Sequence, residues 1–249
     1  MQQFIVNTMD SLINTLEDLY QKCNHVLWFR GQEDAGWGLQ PSIQRSEHNL
    51  DLETYLANDF YIKNKKVLDV CPAKNNYAAW LSMMQHYGLP TRLLDWSQSP
   101  LIAAFFATKT YKQTAQTPAS IWVLDPSKLN EQNGFGAYLY PSDAYTAQEM
   151  LRPAFVKEEK DEFRDKILAC HCVENDLRMY SQQSCFTIHN SQRKLTDICD
   201  NDMLFKLIIP GEYKEYFFEC LKIFGITESF VFPDTEHIAH YLKELTDAD

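Results

Sequence analysis

The sequence has 249 residues, which correspond to one large domain or two small ones at roughly 100–200 residues per domain. Its 45% apolar and 23% charged residues are typical of a globular protein and argue against a disordered or fibrous chain. The formal net charge of −11 argues against strong non-specific nucleic-acid binding, which needs a basic surface, but is compatible with a local basic pocket.

The sequence indicates no targeting or membrane-spanning segment. Its longest apolar run, residues 101–107, is much shorter than the roughly 18–20 residues of a membrane helix, and the N-terminus has neither a basic region nor a continuous apolar stretch. The seven cysteines are an odd number without framework spacing, and a chain of this size needs no disulfide bonds. We therefore expect a soluble, cytoplasmic protein with reduced thiols and no membrane partner.

Helices and strands are predicted from apolar periodicity and from turn-forming residues. In chain order, the predicted elements are a helix at 11–23, a strand at 25–30, helices at 50–70 and 76–87, an extended segment at 91–96, a buried helix at 100–107, strands at 119–124, 167–172, 185–189 and 203–209, a helix at 213–224, a short strand or turn at 229–232, and a helix at 235–245. Asp10 is predicted to cap the first helix, and Gly31 to end the first strand.

The order of these elements predicts the fold class. Helices near the N-terminus followed by runs of strands favour an α+β fold, with a mixed or largely antiparallel sheet flanked by helices. The sequence has no internal repeat and no marked domain boundary, so the whole chain, residues 1–249, is predicted to be a single domain.

The densest group of reactive side chains lies at residues 85–97, between two predicted helices. A bend that Gly88 and Pro90 make rigid displays these side chains. One interpretation is a phosphate site, because Asp95 or Ser97 would cap a helix whose N-terminal N–H groups bind anions. The other is a structural turn that contains a buried ion pair between Arg92 and Asp95.

Two further side chains also have two interpretations each. Arg30 ends the predicted strand 25–30, where a buried guanidinium is costly unless an acid or a bound anion pairs with it. It is either paired with a core acid such as Asp95 or a clamp on the phosphates or carboxylate of a ligand. His86 is either a general base at neutral pH or a cap on the end of its helix.

The sequence predicts no metal site. Cys170 and Cys172 point the same way on a strand, but two thiolates fall short of the four ligands of a structural zinc site, and no C-x-x-C motif accompanies them. We expect the remaining cysteines to lie in the core.

Four blocks of the sequence closely resemble the FRG domain, a family named for its Phe/Tyr-Arg-Gly motif. The blocks are Phe29 to Gln32; residues 86–97 with Pro100 and Ala103 to Ala107; Arg178 and Met179 with Gln182 and Phe186 to His189; and Phe232 to Asp234. The motif-bearing core spans about residues 24–242. This chain has Ser184 where the family usually has glycine, two residues after the glutamine of the third block.

FRG domains are bacterial and phage-associated, and their motif order is similar to that of the ADP-ribosyltransferase superfamily. By this resemblance Arg30 is the arginine that ends an early strand, Ser97 belongs to the serine element, and Gln182 is the late polar residue. The resemblance implies an ADP-ribosyltransferase-like core that uses NAD as a substrate and breaks its nicotinamide–ribose bond through an oxocarbenium-like state. Arg30 and Arg92 would clamp the pyrophosphate, and Tyr87 and Trp96 would flank the nicotinamide.

The resemblance and the bend together give the candidate site residues. Those expected to take part in catalysis are Arg30, Ser97, Gln182, His86 and Asp95. Those expected to bind the nucleotide are Arg30, Gly31, Gln32, Tyr87, Thr91, Arg92, Trp96 and Phe186. Gln182 departs from active transferases, which usually have a carboxylate there, because an amide cannot stabilise positive charge equally well. Asp95, Glu174 or Glu228 would have to substitute for it.

These residues and the resemblance are compatible with three functions. The first is an NAD-using ADP-ribosyltransferase-like enzyme that modifies an unknown macromolecular acceptor, as a toxin or in stress response or phage defence. The second is a non-catalytic nucleotide-binding or interaction module of a defence system. The third is a hydrolytic or nuclease-like enzyme that uses His86 and Asp95. The acidic composition and the lack of a metal-ligand cluster disfavour this third function.

Overall fold

The computed structural model of the chain describes residues 1–23, 26–45, 50–173 and 176–246. Its strands are β1 (Gln2–Ile5), β2 (Trp28–Gln32), β3 (Leu93–Ser97), β4 (Ala119–Leu124), β5 (Tyr140–Pro141), β6 (Ile167–His171), β7 (Ser184–His189) and β8 (Leu204–Ile209). Its α-helices are α1 (Met9–Cys23), α2 (Leu50–Asn64), α3 (Tyr77–His86), α4 (Pro100–Thr108), α5 (Tyr111–Thr114), α6 (Pro126–Gln132), α7 (Tyr145–Leu151), α8 (Leu177–Ser181), α9 (Leu195–Ile198), α10 (Lys214–Ile223), α11 (Glu228–Val231) and α12 (Thr235–Thr246).

The eight strands in these ranges form one mixed sheet in the order β1-β8-β4-β2-β3-β7-β6-β5. The two outermost pairs, β1 with β8 and β5 with β6, are parallel, and the inner pairs are antiparallel. The α+β fold with a mixed sheet and flanking helices is confirmed. Within the described residues, no helix has the length and apolar character needed to cross a membrane.

Six of the α-helices cover one face of the sheet in two separate groups. Over β1, β8, β4 and β2, helices α1, α4 and α10 pack around Phe29, Val123 and Leu207. Over β3, β7 and β6, helices α2, α3 and α7 pack around Leu93 and Ile188. Because alternate residues of a strand share a face, Asp95 and Ser97 point to the same side as Leu93. The two groups of helices therefore meet above the C-terminal half of β3.

The opposite face of the sheet is rich in tryptophan. Trp28, Trp96 and Trp122 are almost fully buried there, together with Leu129 of α6 and Leu195 of α9. Aromatic side chains thus pack on both faces of the sheet.

Gly31 allows α4 to lie directly on β2. A Cβ atom at this position would be 1.8 Å from the backbone carbonyl oxygen of Ala103 and 2.7 Å from the backbone nitrogen of Ala107. Any side chain here would push the helix off the strand. The prediction that Gly31 ends the strand is wrong, since β2 continues to Gln32.

Most predicted elements are present, and β4 has the predicted bounds. The helix predicted at 50–70 ends at Asn64, and the predicted short strand or turn at 229–232 is the helical turn α11. The beginning of the strand predicted at 25–30 falls partly on His25, which lies outside the described residues.

Two predicted helix caps are wrong. At α1, Thr8 and Ser11 each accept a backbone N–H with their hydroxyl oxygens, while Asp10 lies within the first turn. At α4, Ser99 is the N-cap, and its Oγ accepts a hydrogen bond from the backbone of Ile102. In both cases a hydroxyl residue next to the helix supplies the cap, as the preferences of N-terminal positions allow.

Candidate functional site

The strand end, the bend and the late glutamine predicted from the sequence meet in one cavity. Arg30, Ser97 and Gln182 line a cavity of about 180 Å³ together with Asp95 and Arg178. Two neighbouring cavities, of about 210 Å³ and 100 Å³, also have Asp95 in their walls. We call these three adjoining cavities the Asp95 cleft; the polar side chains in its walls include Arg30, Arg45, Gln85, Asp95, Arg178 and Gln182.

Arg30 occupies the place where β2 and β3 separate. The two strands share the registered pair Phe29–Ser97, while β2 stays paired with β4 as far as Gln32. The Nη1 atom of Arg30 donates a 2.6 Å hydrogen bond to the backbone oxygen of Asp95, and its Nε is buried without a partner among the described residues. Burial lowers the pKa of Arg30 to about 10, so the guanidinium is still charged at neutral pH.

Asp95 is the carboxylate at the centre of the cleft. Its side chain lines all three cavities of the cleft, and one of its oxygens accepts a hydrogen bond from Nε2 of Gln85. The surrounding protein raises the pKa of Asp95 above its ordinary value by desolvation, against the opposing effect of the guanidinium groups of Arg30, Arg178 and Arg45. Three cations around one carboxylate give the cleft an excess of positive charge in a protein with a net charge of −11.

Arg178 lines the cleft. Its guanidinium makes no hydrogen bond or ion pair within the described residues. It lies 4.7 Å from the centre of the Phe232 ring, in a cation–π contact. The backbone N–H of Arg178 binds the Asp176 carboxylate, which caps α8. Arg178 is thus held in place by its backbone and by an aromatic ring, while its charge remains available.

Ser97 and Gln182 join the end of β3 to the turn before β7. The Ser97 hydroxyl donates a 2.7 Å hydrogen bond to the backbone oxygen of Gln182, and the Gln182 side-chain amide donates to the backbone oxygen of Val231 at 3.0 Å. Gln183 has the left-handed backbone conformation in this turn, with φ of 47°, and Ser184 already belongs to β7. The turn is formed with a serine at position 184.

His86 and Phe186 line the 100 Å³ part of the cleft. The Nδ1 atom of His86 is 3.6 Å from the Asp176 carboxylate. Tyr87 is 68% exposed, and its ring lies 5.1 Å from that of His86. Tyr87, not His86, is the C-cap residue of α3, ahead of Gly88, whose φ is 79°.

Arg92 does not contact the cleft. Its guanidinium is completely buried, with Nη2 2.7 Å from Glu53 of α2 and Nη1 donating to the side chain of Asn190. The predicted ion pair between Arg92 and Asp95 is wrong, because Glu53 takes that place. A guanidinium held in this way is not free to clamp a phosphate.

Three other predicted binding residues are buried with protein partners. Gln32 accepts a hydrogen bond from Nε1 of Trp122, and Nε1 of Trp96 donates one to the hydroxyl of Thr187. The hydroxyl of Thr91 donates one to Oε1 of Gln85. Of these three, Trp96 lines the 180 Å³ cavity. Gly31 lines it as well, so the strand end contributes backbone to the wall.

The carboxylates proposed as substitutes for a late glutamate are placed differently. Asp95 is in the cleft, and Glu228 lies on α11, where an oxygen of its carboxylate is 3.0 Å from His240 Nδ1. Glu174 lies outside the described residues. Among the residues that are described, no group of three or more His, Cys, Asp or Glu side chains is arranged to hold a metal ion.

Sequence reasoning did not identify Arg45, Gln85 and Arg178 as parts of the site. Arg178 was visible as the first residue of the third block that resembles the family, and Gln85 is the first residue of the group at residues 85–97, but Arg45 has no sequence signal. Arg45 is brought to the cleft by the loop between β2 and α2, where its Nε donates to the backbone oxygen of Gln40.

Comparison with known protein families supports the resemblance. The family model of the FRG domain matches residues 25–116, so an FRG domain is present in this range. The matched range includes Arg30 and Asp95 but ends before Arg178 and Gln182. No curated protein and no solved structure matches the chain.

Proposed function

We propose that the Asp95 cleft binds the pyrophosphate of NAD and that the protein is an ADP-ribosyltransferase-like enzyme. The observation that carries this proposal is the group of Arg30, Arg45 and Arg178 around a concave site in an otherwise acidic protein. Guanidinium groups bind phosphates through paired N–H donors and stay charged at all physiological pH values. Nothing in a purely structural cluster requires three guanidinium groups for one carboxylate.

The reaction breaks the bond between C1′ of the nicotinamide ribose and the nicotinamide nitrogen. The bonding electron pair leaves with nicotinamide, positive charge develops on the ribose, and a nucleophile of the acceptor bonds to C1′ after losing a proton. Gln182 carries no charge, so we assign the stabilisation of the positive charge to the Asp95 carboxylate. His86, which lines the same cleft, is the base that takes the proton of the nucleophile.

The setting proposed for this activity follows from the family resemblance alone. We propose that the protein works in a bacterial cytoplasm, as a toxin or in stress response or phage defence, and modifies a macromolecular acceptor.

Incubation of the purified protein with NAD labelled in the adenylate part, with and without cell lysate, tests the activity. We expect release of nicotinamide and transfer of label to a lysate component. Folded protein that gives neither nicotinamide nor transferred label contradicts the enzymatic proposal.

A second candidate function is supported by a specific observation. The hydroxyl of Ser97 and the amide of Gln182 are both engaged in hydrogen bonds within the chain, as in a site that holds a ligand without reacting with it. A non-catalytic nucleotide-binding module of a defence system would be thermally stabilised by NAD and ADP-ribose without turnover. Thermal shift measurements alongside the nicotinamide assay separate the two functions.

A further inference from the structure

A larger cavity is lined by α8, the helix that also carries Arg178. It has a volume of about 500 Å³, and Leu177 and Tyr180, which are one helical turn apart, line it from the helix. Ser184 lines this cavity and also two of the cavities that form the Asp95 cleft. Met179 of α8 also lines both, so the two depressions are neighbours. We call the larger one the α8 groove.

The α8 groove differs in charge from the cleft. No lysine or arginine is found among the described residues that line it, and its charged side chain is Asp176. The Asp176 carboxylate accepts a hydrogen bond from the backbone N–H of Arg178 and lies 3.6 Å from Nδ1 of His86. A phosphate has no counter-charge among the described residues of this groove, so the pyrophosphate of a nucleotide would lie in the Asp95 cleft and the groove would take another part of the ligand.

The groove offers a flat aromatic surface and free amides instead. The Tyr180 side chain is 85% exposed, and Leu177 is 73% exposed beside it. The side-chain amides of Gln98 and Gln183 make no hydrogen bond within the described residues, although the Gln98 backbone N–H donates to the backbone oxygen of Gln183 at 3.0 Å. Both residues line the groove.

This chemistry matches a purine base with an amino group. A tyrosine ring stacks on a base, and a glutamine amide presents one donor and one acceptor that fit the adjacent acceptor and amino donor of adenine. We infer that the α8 groove binds the adenine base of the ligand whose pyrophosphate lies in the Asp95 cleft, an inference that rests on the proposed function. The groove volume is within the range of small-molecule sites, about 300–1,000 Å³.

Two probes separate the groove from the cleft. Binding of ADP-ribose and of inorganic pyrophosphate is measured by calorimetry on the full chain, for the wild type, Tyr180→Ala and Gln98→Ala. We expect Tyr180→Ala to weaken ADP-ribose binding about tenfold, as loss of one stacking contact does, and to leave pyrophosphate binding unchanged. Gln98→Ala has the same selectivity. Tyr138→Ala, which removes another highly exposed tyrosine, is the matched control.

The possible results distinguish this inference from the proposed function. Loss of ADP-ribose affinity with unchanged pyrophosphate affinity in Tyr180→Ala, and no effect of Tyr138→Ala, supports the groove as the base site. Wild-type affinity of Tyr180→Ala and Gln98→Ala for ADP-ribose overturns the inference and leaves the anion-binding cleft untouched. If the wild type binds neither ADP-ribose nor pyrophosphate, the proposed function is contradicted, and the inference, which rests on it, is contradicted as well.

Discussion

The Nη1 atom of Arg30 donates a 2.6 Å hydrogen bond to the backbone carbonyl oxygen of Asp95. This bond bridges β2 and β3 just beyond the pair Phe29–Ser97, at which their regular pairing ends. It leaves the Asp95 carboxylate free to face the cleft and holds the guanidinium in one orientation before any ligand arrives. Because the guanidinium is already ordered, less free energy is lost to the ordering of its side chain when it binds an anion.

Substitution of Arg30 should therefore affect binding and stability together. We expect Arg30→Ala to lower ADP-ribose affinity at least about tenfold and to reduce the free energy of unfolding by ~1.5–3 kcal/mol, since a charged hydrogen bond is lost. Calorimetry and urea unfolding measure the two effects. Arg193→Ala, which removes an exposed arginine elsewhere, should change neither. Wild-type affinity of a folded Arg30→Ala protein for ADP-ribose would show that Arg30 does not contribute to binding.

Asp95→Asn should change binding and catalysis in opposite directions. Loss of the negative charge among three guanidinium groups is expected to raise ADP-ribose affinity about three- to tenfold, while nicotinamide release is abolished. For the same reason, ADP-ribose affinity of the wild type should increase as the pH falls through the pKa of Asp95, which is raised above 3.8, and this increase should be absent in Asp95→Asn. Asp143→Asn, an exposed aspartate on another turn, serves as the charge control.

The buried His189 should make the protein sensitive to acid. Burial, with a smaller effect of Arg30, lowers its pKa from 6.5 to about 3. Below pH 6.5 the unfolded chain therefore binds a proton that the folded chain does not, so stability is lost as the pH falls from about 6.5 to about 3. The loss from this group between pH 8 and pH 5 is about 2 kcal/mol.

Urea unfolding of His189→Gln at pH 8 and pH 5 checks this. Compared with the wild type, the variant should lose about 2 kcal/mol less over that interval. His237→Gln, at a histidine bound to Asp234 on the surface, controls for histidine replacement in general. An unchanged pH dependence in His189→Gln would show that His189 is protonated normally in the folded protein.

Gly31→Ala should disrupt the packing of α4 on β2. Its Cβ would be 1.8 Å from the carbonyl oxygen of Ala103, so the helix backbone itself has to move, at a cost of about 3 kcal/mol or more. Gly38→Ala is the matched control, because the nearest atoms to its Cβ are ordinary van der Waals contacts at 3.8 Å and 3.9 Å. Equal melting temperatures for the two variants would contradict the close approach of α4 to β2.

The sequence was sufficient for the fold class, because strands such as β4 and helices such as α3 have strong local signals. It was also sufficient to predict that Arg30, Ser97 and Gln182 share one cavity. The motifs that contain them lie at the ends of β2 and β3 and before β7, and these ends meet. The partner of Arg92 was out of reach, since Glu53 is 39 residues away and nothing in helix periodicity distinguishes it from a surface acid. Arg45 was missed for a similar reason: a loop of irregular structure positions it.

The most direct test of pyrophosphate binding in the cleft is calorimetric titration of ADP-ribose into the wild type and Arg178→Ala. The Arg178 guanidinium has no ion pair or hydrogen bond within the described residues, so its removal costs the fold only a cation–π contact of about 0.5–1 kcal/mol. We predict that the wild type binds ADP-ribose and that Arg178→Ala binds it at least about tenfold more weakly, with a nearly unchanged melting temperature. Absence of binding to the wild type, or equal affinity of the two proteins, would contradict the assignment of the Asp95 cleft as a pyrophosphate site.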